Sequence, residues 1–409
     1  MAPITLIFVI LRIDPGNLLR YVSDCKPSLH TITSVVENEQ LKPLKILVGM
    51  PAPDSWGGPI ASEPPFVEAL EKLGVDVVKE TYVYGDKEKP TPFFIRVSRV
   101  LRTAFRFRKL IRENRPDLIH LNSAFDLRTI LRDSISLFIM RPGPAKVFIK
   151  LHGSAAEEFE SASFLTRLLI AYLKKKIDGF GYFTHEELEA FLKLGFDRSK
   201  FFRVKNALTI QMSLPANFVR PQKEPSDIFN ILFVSRFIAA KGLLETIEAC
   251  NELRNREIKF RLLCVGDGEA RGDAEDAVGR LGLGRVVTFT GYIPEDEVTK
   301  FFFESDIFVL PTNHIEGFPI VLFKAVATGM PLVTTQIRAA ADYLSEPENC
   351  LFCVKESADI ADNLEKLIAD KDLRTAMSAS NLKLGKNLTP DVLVKEFLDI
   401  YQKVVENSR

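Results

Sequence analysis

The chain has 409 residues, 46% of them hydrophobic and 26% charged, with 54 basic and 54 acidic side chains and no formal net charge. That length exceeds one ordinary core and asks for two domains. The composition excludes a disordered chain, a fibrous repeat and a small disulfide-stapled scaffold. The charge is unevenly placed: residues 1–220 carry an excess of Lys and Arg, and residues 221–409 a matching excess of Asp and Glu. Nucleic acid is a poor partner for a neutral chain without a reading motif.

Residues 1–43 are an N-terminal extension of unassigned status, an accessory segment or an overlong start. The opening apolar run, MAPITLIFVIL, stops at Arg12. It is shorter than the ~18 residues needed to span a bilayer, and it lacks the basic leader and small-residue cleavage site of a signal peptide. From Pro43 the pattern changes. LKILVGM reads as a buried strand, PFVEALEKLGVDV as a helix turning at Gly74 into a strand, and RPDLIHLNS and AKVFIKLHGS as further strands. Unbroken apolar runs imply strands covered on both faces, hence a parallel sheet in a doubly wound α/β domain over residues 44–212. Thr184, three residues before Glu187, is a capping-box signature opening a helix.

Three prolines in QMSLPANFVRPQKEPSD mark a linker. A second α/β series follows over 213–388, with strands in FNILFVSR, FRLLCVGDG, RVVTFTGY, SDIFVLPT and GMPLVTT. A final helix, 389–409, takes Thr389 as N-cap and Pro390 as first residue. Two such sheets leave a cleft between their carboxyl ends, where open α/β sheets bind ligands. Cys350 and Cys353 form a C-x-x-C, read as two apolar residues on a strand edge because no second Cys or His pair completes a metal site. With five unevenly spaced cysteines, the chain suits a reducing compartment.

The chemistry gathers in the second half. Arg236 at a strand end and Lys241 before a helix suit an anion as large as a diphosphate. In NHIEGFPIVLFKAVATG, the loop carboxylate of Glu316 precedes a helix starting at Pro319, so the amides of Gly317, Phe318 and Ile320 can face an anion or hydroxyl. Arg236 five residues before Lys241-Gly242, then VGDGEAR, TGYIPEDEV and EGFPIVLFKAVATGMPLV, resemble retaining GT-B glycosyltransferases of family 4, also called group 1. ILVGMPAPDSWGG, DLIHLNS, KLHGS and FFRVKNAL are similar to that family's N-terminal half, so the resemblance covers about residues 44–400.

The resemblance implies an α/β GT-B fold: two Rossmann-like domains facing across a cleft, with a C-terminal helix. It implies transfer of a sugar from a nucleotide-sugar donor to an acceptor hydroxyl with retention, in polysaccharide or glycoconjugate biosynthesis. Arg236 and Lys241 would hold the leaving diphosphate, with Gly317 and Phe318 contributing amides and Gly57 and Gly58 allowing close approach from the first domain. Glu316 and His152 would act at the reacting sugar, and Tyr292 and Ile293 would meet the base. His120, by contrast, reads as a satisfied strand histidine.

The departure from the family pattern is Lys324, where a second glutamate would accept from the donor ribose. Lysine has three donors and no acceptor, so the donor site is altered. A catalytically degenerate module acting as partner or scaffold, and a sugar-nucleotide epimerase, are the competing readings. No metal and no cofactor are expected; a pyridoxal phosphate lysine is a weaker alternative, since the other motifs of such phosphorylases are missing. The expected location is cytoplasmic, with peripheral contact on the inner face of a membrane through the segment IRVSRVLRTAFRFRKLIRENRPD. There Arg99, Arg102, Arg106 and Lys109 line one helical face, and Val97, Val100, Leu101, Ala104, Phe105 and Ile111 form an apolar stripe. Glycan or lipid-linked acceptors complete the expected partners.

Overall fold

The computed structural model describes residues 44–52, 58–82, 92–210, 214–215 and 217–406. The extension 1–43 and Gly57 lie outside them. The described residues form two six-stranded parallel sheets within one compact unit, Leu44–Arg409. The first holds β1 (Lys45–Met50), β2 (Asp76–Thr81), β3 (Leu118–Phe125), β4 (Lys146–Ser154), β5 (Gly179–Tyr182) and β6 (Phe201–Arg203), in the order β2-β1-β3-β4-β5-β6. The second holds β7 (Phe229–Val234), β8 (Phe260–Val265), β9 (Val287–Gly291), β10 (Ile307–Leu310), β11 (Leu332–Thr335) and β12 (Leu351–Cys353), in the order β12-β11-β10-β7-β8-β9. Each order reverses direction beside its first strand, which opens a crevice at the strand carboxyl ends.

Helices cover both faces of the first sheet. One face carries α1 (Gly58–Lys72); the other carries α2 (Phe93–Asn114), α3 (Leu127–Met140), α4 (Phe164–Lys176) and α5 (His185–Lys193). The apolar stripe read from the α2 sequence is only half right. Ala104 and Ile111 are buried together with Phe107, whereas Val97, Leu101 and Phe105 point outward among the arginines. Helix α1 starts seven residues earlier than the sequence suggests, at Gly58, and runs through Pro64 and Pro65. Gly58 is therefore a helical residue, not part of a loop. Thr184 does cap α5, accepting from the Glu187 amide, while the Glu187 carboxylate accepts from the Phe183 amide.

Around the second sheet lie α6 (Leu243–Asn255), α7 (Arg271–Arg280), α8 (Glu295–Glu304), α9 (Ile320–Ala327), α10 (Arg338–Tyr343), α11 (Ser357–Ala369) and α12 (Lys371–Lys386). The last helix, α13 (Pro390–Glu406), returns to the first sheet and packs on α1 and β4. Its apolar side buries Leu393, Phe397 and Tyr401, and Phe397 meets Phe66 at 4.6 Å between centroids. The chain thus crosses between the lobes twice. The two crossings touch, since the Leu208 amide donates to the Leu388 carbonyl at 2.8 Å. Cys350 and Cys353 are buried beside and within β12, and burial pushes the Cys353 thiol up to about 12.

Candidate functional site: a cation cluster facing a buried histidine

Strand β7 ends at Val234 and delivers Arg236 and, through a short 3₁₀ turn Ala239–Lys241, the buried Lys241. Gly242 follows with φ +81°. A Cβ there would lie 2.4 Å from the Pro311 carbonyl oxygen, so glycine is required for this turn to reach the loop after β10. That loop is then fastened to the turn: the Asn313 amide donates to the Ala240 carbonyl at 2.8 Å, and Thr312 Oγ1 to the same oxygen at 3.3 Å. The result brings Glu316 Oε1 to 2.6 Å from Lys241 Nζ.

Burial lowers the Lys241 pKa; Glu316 opposes that shift and Arg236 adds to it. His314 is also held below its ordinary value, by burial and then by Lys241 and Arg236 against Glu316. Arg236, Lys241, His314 and Glu316 therefore share one electrostatic site, with two cations against one carboxylate. The glycine loop after β8 packs beneath it. Gly266 and Gly268, at φ +138° and +154°, approach the backbone of Ser235 and Phe237 so closely that any Cβ would overlap a carbonyl oxygen.

Tyr292 and Ile293 follow β9 at the sheet edge; Tyr292 is exposed and Ile293 packs against the core. Pro319 is the N-cap of α9, with Ile320 the first helical residue. The Phe318 ring is a core group, stacked on Phe323 at 3.9 Å between centroids, so its amide is the part left for a ligand. Lys324 is buried in α9. The charges that shift Lys241 are Glu316 and Arg236, and those that shift His314 are Lys241, Glu316 and Arg236; Lys324 is not among them.

Across the lobe boundary stands the end of β4. A Cβ on Gly317 would lie 2.8 Å from Phe183 and 3.4 Å from the Gly153 nitrogen, and one on Gly58 would touch Ile320 at 3.4 Å. The Glu316 loop and the His152 strand end thus meet through two glycines. Tyr343 ties the same boundary, donating to the Phe183 carbonyl at 2.9 Å. Arg338 of the second lobe pairs with Glu157 of the first at 2.6 Å.

His152 belongs to a buried polar network that the sequence did not disclose. Glu63 on α1 accepts from Lys150 Nζ at 2.6 Å and from Asn122 Nδ2 at 3.3 Å, and Asn122 Nδ2 also donates to the Gly49 carbonyl at 3.1 Å. Both neighbours of the Asn122 amino group are acceptors, so its Oδ1 is the oxygen 2.7 Å from His152 Nε2. It follows that Nε2 carries a proton and donates, which leaves Nδ1 as the acceptor of a neutral ring. Burial, then Lys150, holds His152 down to about 3. Burial likewise holds His120 down to about 4, while its Nδ1 meets the Tyr401 hydroxyl of α13. Burial alone would raise Glu63, but Lys150, His120 and His152 together bring it down to about 2. Glu63 and Asn122 had no local signal in the sequence; the network is visible only once α1, β3 and β4 are side by side.

Residues 217–383 match the family described as glycosyl transferases group 1. The matched segment holds Arg236, Lys241, Tyr292, Glu316 and Lys324, and stops short of α13. Among curated relatives, the chain is 33% identical over 121 residues to the putative colanic acid biosynthesis glycosyltransferase WcaL of Escherichia coli K12, covering 28% of this chain and 30% of that one. It is 27% identical over 192 residues to an uncharacterized glycosyltransferase of Methanocaldococcus jannaschii, covering 46% and 49%. The matches thus span from under a third to about half of these relatives. Over the fold, the chain superposes on Anabaena HepE, solved with UDP and glucose, at a TM-score of 0.64 and 17% identity, covering 88% of this chain and 99% of that one. A glycosyltransferase from Rickettsia africae gives a TM-score of 0.66 at 17% identity, covering 90% and 100%.

Proposed function

We propose that the chain is a glycosyltransferase that moves a sugar from a nucleotide-sugar donor to a hydroxyl of a glycan or lipid-linked acceptor, with retained anomeric configuration, in polysaccharide or glycoconjugate assembly. The observation that carries this reading is the meeting of the Arg236, Lys241 and Glu316 cluster with the His152–Gly153 strand end across the lobe boundary. A diphosphate between Arg236 and Lys241 has its growing charge neutralised as it leaves. Glu316 accepts from hydroxyls of the bound sugar and counters positive charge at its reacting carbon. His152, neutral, accepts a hydrogen bond from a sugar hydroxyl at Nδ1. The bond from anomeric carbon to phosphate oxygen breaks and the acceptor oxygen bonds that carbon on the same face. The acceptor proton passes to the leaving phosphate. No metal and no resident cofactor take part in this scheme.

HepE, solved with UDP and glucose, sets the first probes, UDP-sugars. Supplied with a panel of nucleotide sugars and an oligosaccharide acceptor, the protein is expected to release nucleoside diphosphate and form an axial or equatorial linkage matching its donor. A product of inverted configuration, read by NMR coupling constants, would remove the retaining scheme. Lys324 favours one second reading, a module that binds donor without turning it over. Saturable donor binding with no release of diphosphate, whatever acceptor is offered, would select it, and conversion of the sugar without acceptor would select an epimerase.

A further inference from the structure

Helix α13 reaches the first lobe from the far end of the chain and covers the polar network that contains His152. Strand alternation explains why the network faces it. His120 and Asn122 on β3, and Lys150 and His152 on β4, stand two residues apart on their strands, and Asn122 lies opposite Lys150 in the register, so all four side chains leave one face of the sheet. That face is covered by α1, which carries Glu63, and by α13. Two side chains of α13 enter the network. The Tyr401 hydroxyl meets His120 Nδ1, while the Phe397 ring lies 5.4 Å from Lys150 Nζ and stacks on the His120 ring at 6.2 Å between centroids.

Protons can be placed along these contacts. His120 Nε2 has no hydrogen-bond partner among the described residues and lies 3.9 Å from Glu63 Oε2. A bare lone pair there would face a carboxylate, so Nε2 carries the ring proton, Nδ1 accepts, and the Tyr401 hydroxyl donates. Burial, then Glu63, keeps that hydroxyl protonated. Glu63 in turn holds Lys150 at 2.6 Å and Asn122 at 3.3 Å, and Asn122 accepts from His152 Nε2 at 2.7 Å. Tyr401, His120, Glu63, Asn122 and His152 thus form one run of polar contacts sealed from water, in which the polarity of each group constrains the next. A helix serving cohesion alone has no need of this. Apolar side chains would cover the sheet without the desolvation cost of burying polar atoms.

We propose that Tyr401 is a positioning residue for the transfer reaction: from α13 it fixes His120, and through Glu63 and Asn122 it holds the His152 ring with its proton on Nε2 and its acceptor at Nδ1. Phe397 completes the seal over Lys150. This rests on the reading of His152 as a group at the donor sugar. It extends the working parts of the protein to a helix beyond the matched segment 217–383. A first lobe without α13 in its seat keeps the strand that carries His152 and loses what sets the ring.

The experiment compares Tyr401→Phe, Phe397→Leu and Val404→Ala in the full chain. Val404 is buried on α13 but packs against Gly179 of β5, outside the polar contacts, so it reports on helix cohesion. The titratable groups around His152 are Glu63 from α1, His120 from β3, Lys150 from β4, Tyr401 behind His120, and Glu316 on the loop that meets Gly153. In Tyr401→Phe and Phe397→Leu, imidazole nitrogen shifts should show His152 in both neutral forms and titrating at pH about 5–7, closer to an ordinary imidazole. Loss of orientation should lower kcat about tenfold or more with donor KM changed by less than about twofold. The loss should deepen on the acid side, where the wild-type ring stays neutral. Val404→Ala should melt lower with His152 shifts and kcat unchanged. Wild-type His152 shifts or wild-type kcat in a folded Tyr401→Phe overturns the proposal. So does a wild-type His152 protonated at Nδ1, a result that needs no variant to fold. If no donor and acceptor pair turns over, the functional reading fails, and the His152 shifts alone decide whether Tyr401 sets the ring.

Discussion

Lys241 Nζ lies 2.6 Å from Glu316 Oε1, and the two residues come from different strand ends joined by one backbone hydrogen bond from Asn313 to Ala240. The ammonium is buried and the carboxylate is about one third exposed, so Lys241 has little water to replace a lost partner. On the proposed reading, a donor diphosphate entering beside Arg236 would draw Lys241 into a charge-assisted contact and free Glu316 for the sugar. Lys241→Met keeps the stem and deletes the charge. It is expected to lower turnover at saturating donor by about 10²–10³-fold, a typical cost for removing one group aimed at developing charge. Steady-state rates with matched thermal melts check it; an unchanged rate would place the diphosphate elsewhere.

The buried network predicts a direction for acid sensitivity. His120 and His152 are held down to about 4 and about 3, so they stay neutral in the fold while an unfolded imidazole takes up a proton near 6.5. Glu63 is held down to about 2 and stays charged where an unfolded carboxyl is protonated. All three favour the fold fully above about 6.5, and that stability drains away as pH falls through these values. Glu187, raised to about 7 chiefly by burial, works the opposite way between about 4.5 and 7. The imidazole NMR signals of His120 and His152 should not titrate between pH 5 and 8, and nitrogen shifts should show His152 protonated at Nε2. A titrating His152 would mean that Asn122 and Glu63 do not set its state.

Tyr401→Phe removes the hydroxyl that meets His120 Nδ1 from α13 and leaves a buried ring nitrogen without that partner. The expected loss is about 1–3 kcal/mol of stability, the usual cost of a buried polar atom deprived of its hydrogen bond. Urea denaturation should show a lower midpoint with an unchanged slope. A midpoint equal to wild type would show that α13 is held by its apolar side alone.

Lys324→Glu tests the position that departs from the family pattern. If α9 presents this residue to the donor ribose, a carboxylate should tighten donor binding by about tenfold or more, matching ~1.5–3 kcal/mol for a charged hydrogen bond. Calorimetry against the nucleotide-sugar panel measures it. Unchanged affinity across the panel would remove Lys324 from the ribose.

Reading the sequence recovered what local pattern determines. The apolar runs of β1, β3, β4, β7 and β10 are strands because both sheet faces are covered, so no polar alternation intervenes. Arg236, Lys241 and Glu316 were visible because each follows a strand end, the place where open α/β sheets bind ligands. Their ion pair was not, since seventy-odd residues of chain separate its members. The start of α1 was hidden by Pro64 and Pro65, which sequence reasoning treats as helix breakers, and with it went Glu63. On α2, helical periodicity identified an amphipathic helix but chose the wrong boundary between its faces. Two apolar sides on one helix defeat a method that looks for one, and only burial of Phe107 shows which side is inward.

The bond from Leu208 to Leu388 has a mechanical consequence. A single connecting strand would let two halves twist, slide and tilt independently. Two connections pinned together act as the pin of a door, so any opening is expected to be a swing about that line that brings Gly317 back against Gly153.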